Sequence, residues 1–285
     1  MKGDNVKIGC IAQARMTSKR LPGKVLKTLN FDSGATILDE VIIRLKRSER
    51  IDEIIIATTI NTTDDEIIFA ANGQGAGSFR GSEDDVLERY YLAAKENALD
   101  VIVRVTCDCP FIDPGVIDEL VDFYERGGFD YASNCIKRTY PHGLDCEIFS
   151  FNVLEKIYLK AREPFYREHV TSYIYTHEGE FSLGSMELPS GEDYSDMRIT
   201  VDTKQDYVLA CLIRDYLSDK PNPSFRDIID IFDRKPYLHM INEDIRQKMA
   251  FESQGEELAE AVKVLRLQEL NSAAEILLKK IEEPD

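Results

Sequence analysis

Short apolar runs that each lead into a polar loop constrain this chain most. Residues 8–12 (IGCIA), 53–59 (EIIIATT) and 101–106 (VIVRVT) are short and carry apolar residues on successive positions. That is the pattern of strands covered on both faces of a sheet. Between the first two, residues 36–47 (TILDEVIIRLKR) put Ile37, Leu38, Val41, Ile42 and Leu45 on one helical face. After the second, DDEIIFAAN starts another helix near Thr63. Strand–helix–strand–helix is the unit of a parallel sheet with right-handed crossovers. The expected fold is a doubly wound, Rossmann-like α/β sheet.

The loop after the first run carries Arg15, Lys19, Arg20 and Lys24. Open α/β sheets bind ligands outside the carboxyl ends of their strands. Small Ala14 lets backbone come close, while Arg15, Arg20 and Lys24 supply charge-assisted donors suited to a polyphosphate. The pattern G-x-x-x-x-G-K-[ST] is absent, so this is not a Walker loop. Charge alone leaves two readings open: a phosphate loop, or a surface loop with solvated cations.

The rest of the composition makes that cation cluster notable. Formal charge is −17 and the pI about 4.8, a poor match to non-specific nucleic-acid binding, which needs a basic face. No apolar run is long enough for a membrane span, and no signal-peptide pattern opens the chain. Cys10, Cys107, Cys109, Cys135, Cys146 and Cys211 form no C-x-x-C. A reduced, cytoplasmic setting without disulfides or structural zinc is expected.

ARMTSKRLPGK (residues 14–24) is similar to the A-R-x-x-S-x-R-L-P-x-K signature of the cytidylyltransferase superfamily. Members of that family activate sialic, keto-deoxy-octulosonic and related sugar acids as CMP-sugars. The likeness is to the branch of spore coat polysaccharide biosynthesis protein F, and further motifs carry it over roughly residues 6–233. It implies a nucleotide-diphospho-sugar-transferase type of fold. It also implies Mg²⁺-dependent transfer of CMP from CTP to a sugar or sugar-acid acceptor, with release of pyrophosphate, in surface polysaccharide or glycoconjugate biosynthesis.

By the same resemblance Ala12, Ala14, Arg15, Arg20 and Lys24 bind the nucleotide, with Arg15, Arg20 and Lys24 catalytic. GSEDDVLERY places Gly81, Ser82 and Asp85 against cytosine and ribose. RVTCDCP and RITVDTKQD supply Asp108 and Asp202 as magnesium ligands. Arg104, the YPHGLDCE stretch with Lys137, Arg138, Asp145 and Glu147, and the REHVT stretch with Glu168 and His169 are implied acceptor contacts.

Local chemistry offers plainer accounts for several of these. Ser82 suits an N-cap with Asp85 at N3, a role compatible with ligand contact. Asp113-Pro114 reads as an N-cap and N1 pair, which leaves Asp108 without a structural reason. Cys107 and Cys109 resemble a C-x-C metal pair, but strand alternation directs both away from Asp108, toward buried packing. Lys137, Arg138, Asp145 and Glu147 read equally well as a solvated hairpin rim. A lone helical histidine such as His169 is commonly structural. Thr203 and Asp206 suit a capping box and need no further role.

Further elements expected are an edge strand ending at Arg80-Gly81-Ser82, a helix over 114–127 stopped by Gly127-Gly128, and strand–turn–strand over 129–149. Asn152 and Glu155 are expected to cap a helix to Ala161, and one helix to run from Phe165 to His177. Strands follow at 181–188 and 197–201, and helices at 204–217 and 224–232. Residues 1–233 form the expected catalytic domain, with a β-rich acceptor or dimer subdomain near 130–200. Residues 234–285 form a helical tail. Its two apolar faces, Leu258, Ala261, Val262 and Leu265, then Ala273, Ile276 and Leu277, require burial against the core or a second subunit. A homodimer is the expected assembly. Two other function classes stay open: a glycosyltransferase of similar fold, although D-C-P replaces its usual D-x-D, and a non-catalytic nucleotide-binding scaffold.

Overall fold

The computed structural model describes residues 6–220, 222–245, 254–268 and 270–282. The alternation of apolar runs and amphipathic stretches becomes β1 (Ile8–Gln13), a small hairpin of β2 (Thr28–Asn30) and β3 (Ala35–Thr36), α1 (Ile37–Leu45), β4 (Glu53–Thr59), α2 (Asp65–Gly73), β5 (Gly77–Gly81), α3 (Val86–Glu96) and β6 (Val101–Thr106). Then follow α4 (Pro114–Gly127), β7 (Tyr131–Ser133), β8 (Glu147–Ser150), α5 (Phe151–Lys160), α6 (Pro164–Glu168), α7 (Ser172–Thr176), β9 (Leu183–Ser185), α8 (Lys204–Tyr216) and α9 (Phe225–Arg234).

The main sheet has the order β5-β4-β1-β6-β8-β7-β9. β5, β4, β1 and β6 are mutually parallel, β8 runs antiparallel to β6 and β7, and β7 is parallel to β9. Alternation along the strands divides the core. Cys10, Ala12, Val103 and Val105 face α1, α2, α4, α8 and α9, whereas Ile11, Ile102 and Phe149 face α3, α5 and α7. Helices thus cover both faces, as doubly wound sheets require. From β1 the chain moves outward through β4 and β5, then crosses back to lay β6 on the other side of β1. The crevice at the carboxyl ends of β1 and β6 is therefore the topological switch point.

Caps set most helix starts. Thr36 and Asp39 form a capping box for α1, and Asp113 caps α4 with Pro114 at its first position. Thr203 and Asp206 form the box for α8. Two expected caps are displaced. Asp85, rather than Ser82, caps α3 by accepting from the Glu88 amide, while Ser82 Oγ accepts from the Asp85 amide. Ser150, rather than Asn152, caps α5.

The single helix expected over 165–177 is two, because Val170 has φ +47 and breaks the turn between α6 and α7. No glycine or proline announces that break; Val170 is fully buried, and packing holds it in a conformation its branched side chain disfavours. Residues 197–201 form no strand of the sheet; they make one isolated bridge with His142 and hydrogen-bond to the Asp108 carbonyl.

The first compact unit ends at Ile245, not at residue 233. A 3-10 turn at Pro236–Ile241 buries Leu238 in the core, and Asn242 Nδ2 donates to the Arg198 carbonyl (3.1 Å) and to Asp206 (2.8 Å). The second unit holds two helices, α10 (Gln254–Leu267) and α11 (Asn271–Glu282). Val262 is buried on the expected face of α10. On α11 the inward residue is Ala274; Ile276, expected inward, is 65% exposed. Parts of the tail stretch YLHMINEDIRQKMA lie outside the described residues.

Candidate active site

The cation loop leaves β1 at the switch point and is pinned at several places. The Ala14 amide donates to the Ala57 carbonyl (3.1 Å), and the Gly23 amide closes the loop on the Met16 carbonyl (3.0 Å). Gly23 sits at φ +66, which glycine adopts without penalty. The Met16 amide donates to Asp64 Oδ1 (2.9 Å). Asp64 is fully buried and also accepts from the Thr58 hydroxyl (3.0 Å) and from the amide and hydroxyl of Thr59. A carboxylate from the start of α2 thereby ties the loop to the end of β4.

Asp108 and Asp202 come together although they are remote in sequence. Beyond β6 the Cys107 amide donates to the Gln13 carbonyl (3.1 Å), holding that end beside β1. The Val201 amide (2.8 Å) and the Thr200 hydroxyl (3.0 Å) donate to the Asp108 carbonyl, which lays residues 199–202 along the same edge. Gly143 makes room: a Cβ there would stand 2.7 Å from the Thr200 nitrogen. Lys24 Nζ lies between the two carboxylates, 2.7 Å from Asp108 Oδ2 and 2.6 Å from Asp202 Oδ1. Arg20 donates to Asp202 Oδ2 at 2.7 Å, and Arg198 reaches the same oxygen at 3.3 Å.

The electrostatics follow from this packing. Burial works against the Lys24 ammonium, but the charges of Asp108 and Asp202 outweigh it and raise its pKa. Burial alone would raise the Asp108 carboxyl; Lys24, together with the Thr106 hydroxyl, holds it down to about 2. Arg198 also donates to Asp206 (2.9 Å), so Asp206 has a second structural duty beyond the capping box. Cys107 is buried as expected, but Cys109 is not turned away. β6 ends at Thr106, alternation lapses, and Cys109 Sγ lies 3.6 Å from Asp108 Oδ1.

A second network lies at the ends of β4 and β5. Arg15 is half exposed and 3.7 Å from Glu83, which accepts from the Thr17 hydroxyl and from Asn61 Nδ2 (2.6 Å). Those two hydrogen bonds lower the Glu83 pKa. Gly81 ends β5, and Asp85 is held by Arg167 Nε at 2.8 Å. Arg167 of the REHVT stretch is thus tied to the residue that caps α3; Glu168 is the last residue of α6 and His169 follows it. Ala12 is buried within β1.

The remaining candidates form pairs around β8. Arg104 and Glu147 are cross-strand partners that share an ion pair, with the guanidinium 5.7 Å from the Tyr90 ring centroid. Arg104 Nε and Glu147 Oε2 are buried without a hydrogen-bond partner. Arg138 holds Asp145 through two bonds (2.6 and 3.1 Å). Lys137 meets Glu187 at 2.6 Å and is 72% exposed. Sequence reasoning missed Asp64, Glu83 and Asn61. Asp64 was hidden in a plain helix start, although an acidic residue just beyond a Thr-Thr strand end was its available signal.

Among the described residues no cluster of three or more His, Cys, Asp or Glu side chains could hold a metal by itself. Two carboxylates converging on one cation do fit Mg²⁺, which binds through one or two carboxylates and keeps phosphate and water oxygens. No described helix is long and apolar enough to cross a membrane.

A family model described as cytidylyltransferase matches residues 9–266. The chain is 40% identical over 243 residues to an uncharacterised protein of Methanocaldococcus jannaschii, covering 85% of this chain and 97% of that one. It is 34% identical over 235 residues to the spore coat polysaccharide biosynthesis protein SpsF of Bacillus subtilis, covering 79% and 94%. Among solved structures, a cytidylyltransferase from Leptospira borgpetersenii serovar Hardjo-bovis matches with a TM-score of 0.76 at 34% identity, covering 87% of this chain and 100% of that one. The family match spans the cation loop, both aspartates and the segments that bring them together: this chain belongs to the cytidylyltransferase family.

Proposed function

We propose that the chain transfers CMP from CTP to a hydroxyl of a sugar or sugar-acid acceptor, in polysaccharide biosynthesis and with Mg²⁺. Family membership makes it a CTP-dependent nucleotidyltransferase. The observation that carries the finer reading is Lys24 bridging Asp108 and Asp202 at the switch point, with Arg20 on the outer oxygen of Asp202.

The acceptor oxygen attacks the α-phosphorus, the bond from that phosphorus to the bridging oxygen breaks, and pyrophosphate leaves. Such a reaction needs positioning and charge stabilisation more than covalent help from the protein. Arg15, Arg20 and Lys24 hold the triphosphate and stabilise the charge that grows on the leaving group. Ala12 and Ala14 keep the loop backbone close to the phosphates. Gly81, Ser82 and Asp85 flank the base and ribose. Asp108 and Asp202 would hold Mg²⁺, which when bound polarises the α-phosphate and lowers the cost of charge at the attacking oxygen. Arg104, Lys137, Arg138, Asp145, Glu147, Glu168 and His169 border the acceptor. The acceptor proton passes to solvent.

A calorimetric comparison of the four nucleoside triphosphates with Mg²⁺, followed by pyrophosphate release over a panel of sugar acids, tests the reading. CTP alone should bind tightly and turn over with release of pyrophosphate. Preference for a nucleotide-sugar would point to glycosyl transfer instead. Binding of CTP without turnover over the whole panel would point to a scaffold.

A further inference from the structure

The carboxylates assigned to the metal are closed by the chain's own cation. Lys24 Nζ accounts for one oxygen of each, and only a tenth of the Lys24 side chain is exposed. The remaining oxygens are engaged as well. Asp108 Oδ1 accepts from the Thr106 hydroxyl, and Asp202 Oδ2 accepts from Arg20 and Arg198. A divalent cation cannot approach both aspartates while the ammonium stands between them, because like charges at such separation repel strongly in a partly buried setting.

We infer that Lys24 is a resident counter-ion that keeps the metal site shut until a nucleotide arrives. This rests on the assignment of Asp108 and Asp202 as metal ligands. Free metal would have to displace the ammonium at the loss of two charge-assisted hydrogen bonds. A triphosphate changes the balance. Its oxygens give Lys24 and Arg20 new anionic partners as they release the aspartates, and it brings a metal already bound to phosphate. Metal and nucleotide therefore enter together, and each raises the affinity for the other by the same factor. The cation that binds phosphate is also the one that excludes bare metal, so the protein admits the metal–nucleotide complex over free divalent ions.

The test reads Mn²⁺ binding directly, by loss of the free-ion electron paramagnetic resonance signal, on the full chain without nucleotide. Wild type should bind Mn²⁺ weakly at this site. Lys24→Met, which fills the same space without charge, should bind it about ten-fold more tightly or better. Lys24→Gln, which can still donate to one carboxylate, should show the same direction and serves if the methionine variant folds poorly. In both variants the gain should vanish when Asp108→Asn and Asp202→Asn are added. Wild type, in contrast, should take up Mn²⁺ strongly once CTP is present, counted as the loss of signal beyond that of CTP and Mn²⁺ without protein. Equal Mn²⁺ affinity of wild type and both Lys24 variants, with CTP-dependent uptake intact, would overturn the counter-ion role alone. Uptake with CTP that ignores Asp108→Asn and Asp202→Asn would overturn the metal assignment and this inference with it.

Discussion

Replacing Asp64 should loosen the cation loop before it unfolds the chain. The carboxylate accepts from the Met16 amide (2.9 Å), the Thr58 hydroxyl (3.0 Å), the Thr59 amide (3.3 Å) and the Thr59 hydroxyl. The hydroxyls can turn to other acceptors, but the amides cannot. Each buried donor left without a partner costs about 1–3 kcal/mol, so Asp64→Ala should cost about 2–6 kcal/mol. Asp64→Asn keeps one acceptor oxygen for the Met16 amide and should cost about 1–2 kcal/mol.

Met16 also receives the Gly23 amide, so its displacement moves the whole segment that ends in Lys24. CTP affinity in the alanine variant should therefore fall about ten-fold, near 1.4 kcal/mol, in protein that is still folded. The effect has a pH signature. Burial pushes the Asp64 carboxyl up, but the hydrogen bonds from Thr59, Met16 and Thr58 win and hold it below its ordinary value of 3.8. Stability from a depressed carboxyl is fully present above the unfolded value and is lost as pH falls through the folded one. The difference between wild type and Asp64→Asn should thus be complete at neutral pH and shrink below about pH 4. Urea unfolding at several pH values and calorimetry with CTP measure both parts. An alanine variant within about 0.5 kcal/mol of wild type, with unchanged CTP affinity, would refute the anchoring argument.

Arg20→Ala and Lys24→Ala should each weaken CTP binding by about 1.5–3 kcal/mol with the fold intact; unchanged affinity in both, by calorimetry, would remove the phosphate-loop role. Gly23→Ala should lower stability by about 1–2 kcal/mol, because an L side chain at φ +66 is strained, and a melting temperature equal to wild type would contradict that. A chain cut after Ile245 should stay folded and keep CTP affinity, whereas a cut after Asp233 should lose stability, because it removes buried Leu238 and the Asn242 bonds to Asp206 and Arg198. Light scattering on the longer fragment tests whether the second unit drives assembly; an unchanged oligomeric state would assign assembly to the first unit.

The parallel half of the sheet was legible because β1, β4 and β6 are covered on both faces and so are apolar at successive positions. The helix α1 was legible through its apolar face, and α4 and α8 through their caps. What escaped was decided by contacts distant in sequence. Val170 breaks a helix with no glycine or proline to mark it. Residues 197–201 have strand composition but pair with His142 and Asp108 instead of a strand of the sheet. Cys109 turns toward Asp108 because β6 stops at Thr106, which no local pattern records. The end of the first unit escaped because Leu238 and Asn242 belong to the core by tertiary packing alone. At the site, the cations and Asp108 could be read from their position after strands. Asp64 and Glu83 could not, since each acts through groups on other loops: Met16 and Thr59 for one, Thr17 and Asn61 for the other.

The central claim is that Asp108 and Asp202 act as one metal-holding unit beside the triphosphate. A double-mutant cycle on CTP affinity, with and without Mg²⁺, tests it most directly. Without metal, Asp108→Asn and Asp202→Asn should leave CTP affinity level or slightly raised, since a negative charge near the phosphates has gone. With Mg²⁺, each single change should erase the metal-dependent gain, and the double change should cost little more, as expected of residues that act together. Additive losses, with the Mg²⁺ gain surviving in either single variant, would contradict the account.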